Sequence, residues 1–168
     1  MNAYPYLARV AELLQRHSLE AILVGNAAAA IQGAPVTTVD LDFLFRKTPA
    51  NIRKLKAITS DLDAVLMRPF YPASDLFRIQ RDVDQLQLDF MTTIDGVASM
   101  ESLGKRATRV QFGGAPLLVG SLADIIKSKK AAGRPQDLAV MHVLEATLAE
   151  KEKEDHPERP AGGSPARE

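Results

Sequence analysis

Residues 39 to 45 read Val-Asp-Leu-Asp-Phe-Leu-Phe, and this run constrains the fold more than any other part of the chain. It alternates polar and apolar residues, as a half-buried strand does. Residues two apart on a strand share a face. Asp40 and Asp42 therefore project side by side from an otherwise greasy segment. Two carboxylates that close repel each other, and a divalent cation relieves the repulsion. Oxygen-only ligands suit Mg2+, which takes one or two carboxylates together with substrate phosphates. Mn2+ can replace it. The run thus calls for a sheet and points to metal-assisted phosphate chemistry.

The residues upstream point the same way. Ala21 to Val24 is a short apolar run that reads as a buried strand, Gly25-Asn26 follows, and Ala27 to Ile31 reads as the start of a helix. A strand that turns into a helix at glycine offers free backbone N–H groups to an anion. Gly25 lets a phosphate approach without a Cβ in the way. Downstream, residues 85 to 92 alternate clearly, with Gln85, Gln87 and Asp89 on one face. Asp89, flanked by apolar residues, is the candidate third acid on a neighbouring strand. Asp82 and Asp84 compete for that place, but Asp84 falls in a stretch that reads as a turn, Arg81 to Asp84, where aspartate is common for its own reasons. Thr37 and Thr38 suit a strand start, and Thr38 is also a candidate nucleotide contact.

Periodicity predicts a helix over 5–17, strands over 21–25 and 38–45, and helices over 26–32 and 49–59. Residues 62 to 80 read as an irregular loop around Pro69 and Pro72, running into a hairpin of 76–80 with 85–92. A second hairpin joins 108–112 to 116–119 across Gly113-Gly114. A helix runs from the cap at Ser121 to Ala132, and another starts at Pro135 with Leu138, Met141, Leu144 and Leu148 on one face. The expected class is α/β (α+β): a small mixed β-sheet flanked by helices, with a C-terminal helical pair. Residues 1–154 form one domain on this reading, and the Pro/Gly-rich, charged stretch 155–168 is an expected disordered tail.

Twenty-one basic and 21 acidic residues give zero net charge, which disfavours a protein held to nucleic acid by bulk electrostatics. The absence of cysteine excludes disulfides and thiolate metal sites. No signal-peptide core opens the chain and no apolar run is of membrane-spanning length, so the expected location is the cytoplasm. The densest basic cluster is Lys127, Lys129, Lys130 and Arg134. It reads either as a solvated helix face or, through Lys129, as a phosphate contact. Asp137, three residues after Arg134, either makes a local helix pair or braces the cleft. His17, His142 and His156 lack ligand spacing and read as non-catalytic.

The order of apolar strand, Gly, small polar residue, short helix and Asp-x-Asp resembles the signature of the nucleotidyltransferase superfamily typified by DNA polymerase β. Ile31 to Asp42 is similar to a branch of small bacterial nucleotidyltransferases that includes those of abortive-infection and toxin–antitoxin systems. Leu122 to Leu144, with Lys129, Gly133-Arg134-Pro135 and Asp137, is similar to that branch's C-terminal region. The resemblance covers roughly residues 5 to 150. It implies that Asp40, Asp42 and Asp89 hold Mg2+, with Asp89 as base. Gly25, Asn26, Thr38 and Lys129 would hold the NTP. It implies transfer of an NMP from the NTP to a hydroxyl of RNA or tRNA, a protein or a small molecule. The chain departs from the family pattern in having Gly25-Asn26 in place of Gly-Gly or Gly-Ser. It also has Val36 and Val39 where a basic residue is common. These departures motivate an alternative, a catalytically degenerate binding module with the same fold. On either reading the chain could be half of a toxin–antitoxin pair with a cognate partner.

Overall fold

The computed structural model describes residues 4 to 156. Its elements in chain order are α1 (Tyr4–Arg16), β1 (Ala21–Val24), α2 (Gly25–Ile31), β2 (Leu41–Phe45), α3 (Pro49–Asp61), β3 (Val65–Met67) and β4 (Phe77–Arg81). There follow β5 (Leu86–Met91), α4 (Met100–Gly104), β6 (Thr108–Phe112), β7 (Ala115–Val119), α5 (Leu122–Ala132) and α6 (Pro135–Asp155). The strands form one seven-stranded sheet in the order β3-β4-β5-β2-β1-β7-β6. The β1–β7 and β2–β5 pairs are parallel and the others antiparallel, so the sheet is mixed, as expected.

Alternation along the central strands divides the buried residues between two faces. On one face Leu23, Phe43, Phe45, Leu88 and Phe90 meet Val10 and Leu14 of α1, Leu55 and Ile58 of α3, and Ile126 of α5. Phe43 stacks on Phe90 with ring centroids 5.0 Å apart, and Phe45 meets Phe90 edge-on at 5.7 Å. On the other face Ile22, Val24 and Leu44 are covered by Met100 and Leu103 of α4. Asp42 lies between Phe43 and Leu41 in sequence and so shares this second face with Leu44. Short local signals set the helix ends. The Thr48 hydroxyl accepts from the Asn51 N–H with Pro49 in the first turn of α3, and Ser121 accepts from the Asp124 N–H at the start of α5. Gly133, left-handed at φ 62°, ends α5.

Four details differ from the sequence reading. Strand β2 starts at Leu41 rather than 38, because Val39 and Asp40 form a bend outside the ladder. Part of the expected loop 62–80 is an edge strand, β3, whose Val65 and Met67 are exposed and which pairs with β4. The five-residue helix α4, capped by Ser99, was not expected. Leu138 is 54% exposed, and the buried stripe of α6 is instead Val140, Met141, Leu144 and Leu148. Helix α6 runs to Asp155, the first residue of the expected tail, and the rest of that tail from 157 on lies outside the described residues. Among the described residues no helix is long and apolar enough to cross a membrane.

Candidate active site

Two adjacent parallel strands bring the acids together. Asp42 on β2 is in register with Asp89 on β5, and Asp40 sits on the bend that leads into β2. One carboxylate oxygen from each of Asp40, Asp42 and Asp89 lies within 4.8 Å of the others. Antiparallel pairing of β1 with β2 sets Val24 opposite Asp42, so the next residue, Gly25, turns directly over that carboxylate. Gly25 has φ +67°, and a Cβ there would lie 2.3 Å from Asp42 Oδ2. Only glycine fits that conformation and that space together.

The three carboxylates are held differently. Thr38 donates its hydroxyl to the Asp40 carbonyl at 2.7 Å and to Asp40 Oδ1 at 2.9 Å. Gln87 donates to Asp89 Oδ2 at 3.2 Å and to Asp40 Oδ2 at 3.4 Å. Arg78 on β4 stands directly opposite Asp89 and binds it with two parallel bonds, Nε to Oδ1 at 2.8 Å and an NH2-group nitrogen to Oδ2 at 2.7 Å. Among the described residues Asp42 has no such partner. Burial pushes its carboxyl up, the negative charges of Asp40 and Asp89 push it further, and it reaches about 7 from an ordinary 3.8. Lys129 and Arg134 pull in the other direction without prevailing. A partly buried carboxylate crowded by two others and pushed up to about 7 is a group whose charged form a divalent cation would favour. The donor set of carboxylate oxygens fits Mg2+ or Mn2+.

A cavity of about 160 Å³ opens beside Asp42. Gly25 and Asp42 line it together with an apolar wall of Met91, Ile94, Leu103 and Ile125 and a polar rim of Thr93, Asp95, Ser128, Lys129 and Arg134. The rim is braced. Lys129, 9% exposed, donates to Asp137 Oδ1 at 2.7 Å, and Arg134 Nε donates to Asp137 Oδ2 at 2.6 Å. Burial pushes the Asp137 carboxyl up, but the bonds from Lys129 and Arg134 outweigh it and hold it below its ordinary range. Asp137 thus makes both the local pair with Arg134 and a brace across the α5–α6 junction.

The structure brings Asp40, Asp42 and Asp89 together and sets Gly25 and Lys129 on the adjoining cavity. It does not bring Thr38 or Asn26 to that cavity. The Thr38 hydroxyl is engaged by Asp40. Asn26 donates from Nδ2 to the Thr37 carbonyl at 3.3 Å, and its Oδ1 is buried without a partner. Asp84, the rival for the third acid, is bound by Arg81 at 2.7 Å, and that bond holds it down at about 2. Sequence reasoning missed Arg78. The signal for it was the 76–80/85–92 hairpin, whose register sets residue 78 opposite residue 89.

No protein-family model matches the sequence, and no curated protein matches it significantly. Solved structures do match in shape. The chain is similar to ANT(2'')-Ia in complex with adenylyl-2''-tobramycin, at 16% identity and TM-score 0.61, over 92% of this chain and 94% of that one. A solution structure of the antibiotic-resistance factor ANT(2'')-Ia matches at 14% identity and TM-score 0.61, over 90% and 87%. The lincosamide antibiotic adenylyltransferase LnuA, lincomycin-bound, matches at 10% identity and TM-score 0.60, over 88% and 98%. At these identities the likeness is one of fold, and the chain has the nucleotidyltransferase fold.

Proposed function

We propose that this chain is a nucleotidyltransferase that moves an NMP from an NTP to a hydroxyl group, with a divalent cation, Mg2+ or Mn2+, at the aspartate cluster. The observation that carries this reading is the meeting of three carboxylates within 4.8 Å, one of which, Asp42, lies against the Gly25 turn and lines a cavity shared with Lys129 and Arg134. Asp40 and Asp42 would hold the cation. When bound, it supplies neutralising charge at the transferring phosphate and orients it for displacement. Gly25 leaves the space beside Asp42 open to the triphosphate. Lys129 and Arg134 line the same cavity as Asp42, and their positive charges act on it. Met91, Ile94, Leu103 and Ile125 give the pocket an apolar wall. The acceptor oxygen forms its bond to the α-phosphorus as the bond to the bridging oxygen breaks. Pyrophosphate leaves, and the hydroxyl proton passes to a carboxylate of the cluster.

The acceptor is proposed to be a small molecule. ANT(2'')-Ia is seen with an adenylylated tobramycin and LnuA with lincomycin, and this chain spans nearly the whole of each. Zero net charge agrees with this better than with an RNA acceptor. An RNA acceptor and a toxin–antitoxin partner draw no support from these neighbours. One observation favours the non-catalytic alternative: both oxygens of Asp89 are already engaged by Arg78.

The test is label transfer. Each α-labelled NTP is incubated with Mg2+ or Mn2+, a panel of hydroxyl-bearing antibiotics, total RNA or lysate, beside an Asp40→Ala/Asp42→Ala variant. The expected result is label on a small molecule from the native chain alone. Binding of an NTP without transfer to any acceptor would replace this reading with the binding-module alternative.

A further inference from the structure

We propose that Arg78 is a built-in cation that keeps Asp89 out of the coordination of a metal, so that the nucleotide-free protein takes one divalent ion, through Asp40 and Asp42. The inference rests on the reading that the cluster binds such an ion.

The argument starts from register. Arg78 and Asp89 are opposite each other on an antiparallel pair, the closest cross-strand placement a sheet offers. The guanidinium meets the carboxylate with two near-parallel bonds of 2.8 and 2.7 Å. Such a fork-to-fork pair is among the stronger polar contacts in proteins and fixes both groups in orientation. The Asp89 side chain is 8% exposed and that of Arg78 25%. Water therefore competes poorly for the pair. Asp89 Oδ2 also accepts from Gln87, so each Asp89 oxygen has a donor within the chain. Asp42, in contrast, makes no side-chain hydrogen bond or ion pair among the described residues. Asp40 lies on the bend, where Thr38 takes one oxygen and a long 3.4 Å bond from Gln87 reaches the other.

Charge leads to the same conclusion. The cluster carries three carboxylates, and Arg78 returns one positive charge to it. A single divalent ion balances the remaining two. A second ion on Asp89 would have to displace the guanidinium or sit against it, and like charges at that range repel strongly. Arg78 thus does at Asp89 what a second ion would otherwise do: it neutralises that acid and holds its orientation. If Arg78 instead positioned Asp89 as a metal ligand, removing it would weaken metal binding. The two roles predict opposite signs.

The experiment is titration with Mn2+ alone, following the EPR signal of the free ion, on the full chain and on the Arg78→Gln, Arg78→Lys and Asp42→Asn variants, with circular dichroism to verify folding. The native chain is expected to bind one Mn2+. Arg78→Gln is expected to bind Mn2+ about tenfold tighter or more, or to take a second ion. Arg78→Lys, which keeps the charge but not the two-pronged geometry, is expected to bind no more weakly than the native chain and less tightly than Arg78→Gln. Two ions on the native chain, or Arg78→Gln binding equally or more weakly, would overturn the proposal. If Arg78→Gln does not fold, the native stoichiometry and the lysine variant still decide the matter: two native ions, or a lysine variant that binds much more weakly, refute it. Absence of Mn2+ binding by the native chain, or undiminished binding in Asp42→Asn, would refute the underlying metal reading, a result distinct from a wrong sign at position 78.

Discussion

Replacing Gly25 with alanine puts a methyl group where the Asp42 carboxylate already is. The new Cβ would lie 2.3 Å from Oδ2, 3.2 Å from Cγ and 3.3 Å from Cβ of Asp42. Non-bonded carbons and oxygens do not approach below 3.0 Å, so the carboxylate must retreat by about 0.7 Å or more. Two costs add. A residue other than glycine at φ +67° costs about 1–2 kcal/mol. Pushing Asp42 off its rotamer costs about 0.5–1.5 kcal/mol more. The sum, about 1.5–3.5 kcal/mol, corresponds to a fall in Tm of roughly 3–14 °C for a domain of this size. A displacement approaching 1 Å at a reacting centre can lower a rate about 100-fold. Gly33→Ala is the control. Gly33 also has positive φ, +96°, yet nothing lies within 4 Å of its Cβ position. It should show the backbone cost alone, with Mn2+ affinity and label transfer unchanged. Thermal denaturation and Mn2+ titration of both variants give the answer. If Gly25→Ala binds Mn2+ as the native chain does, the claim that this glycine exists to make room for Asp42 is wrong.

The cluster also makes stability depend on pH. The folded Asp42 holds its proton to about pH 7 while the unfolded one releases it near 3.8, so the folded state binds more protons between those values. Metal-free stability should therefore fall as pH rises from about 4 to 7, by at most roughly 4 kcal/mol at 1.36 kcal/mol per unit. Mg2+ should flatten the slope, and a urea midpoint rising across this window without metal would contradict the assignment. Below pH 4 the sign reverses, because Asp84, Asp124 and Asp137 have lowered folded-state values and lose their stabilising charge as they are protonated. Asp137→Asn removes the counter-charge of the buried Lys129. It should cost about 3 kcal/mol in chemical denaturation, and a loss below about 1 kcal/mol would mean that the brace is ornamental.

The acids were legible in the sequence because a strand's two-residue period is written directly into it. In Val39-Asp40-Leu41-Asp42-Phe43 and in Leu88-Asp89-Phe90 each acid stands between apolar residues, and the structure brings all three acids together. Gly25 was legible for the same local reason. Arg78 was not, because its partner is set by hairpin register, which depends on the turn at 82–85 with Gln85 at φ 58°. Strand β3 escaped because three residues with two exposed side chains carry no period. Leu138 misled because it keeps helical spacing with Met141, while α6 meets the core two residues further on, at Val140. The bend at Asp40 was hidden because Thr38 and Val39 have strand propensity, whereas the Thr38 hydroxyl turns back onto Asp40.

That bend gives the cluster one fixed jaw and one hinged one. Asp42 is bolted to the ladders of β1 and β5, and Asp89 to that of β4 as well. Neither backbone can shift without unzipping the middle of the sheet. Asp40 hangs from a short bend restrained by a threonine hydroxyl and a weak glutamine contact. Small differences in ion radius can then be absorbed by one side chain while the reaction geometry at Asp42 stays put. Tolerance for more than one metal would be a property of the hinge, and fidelity of the chemistry a property of the sheet.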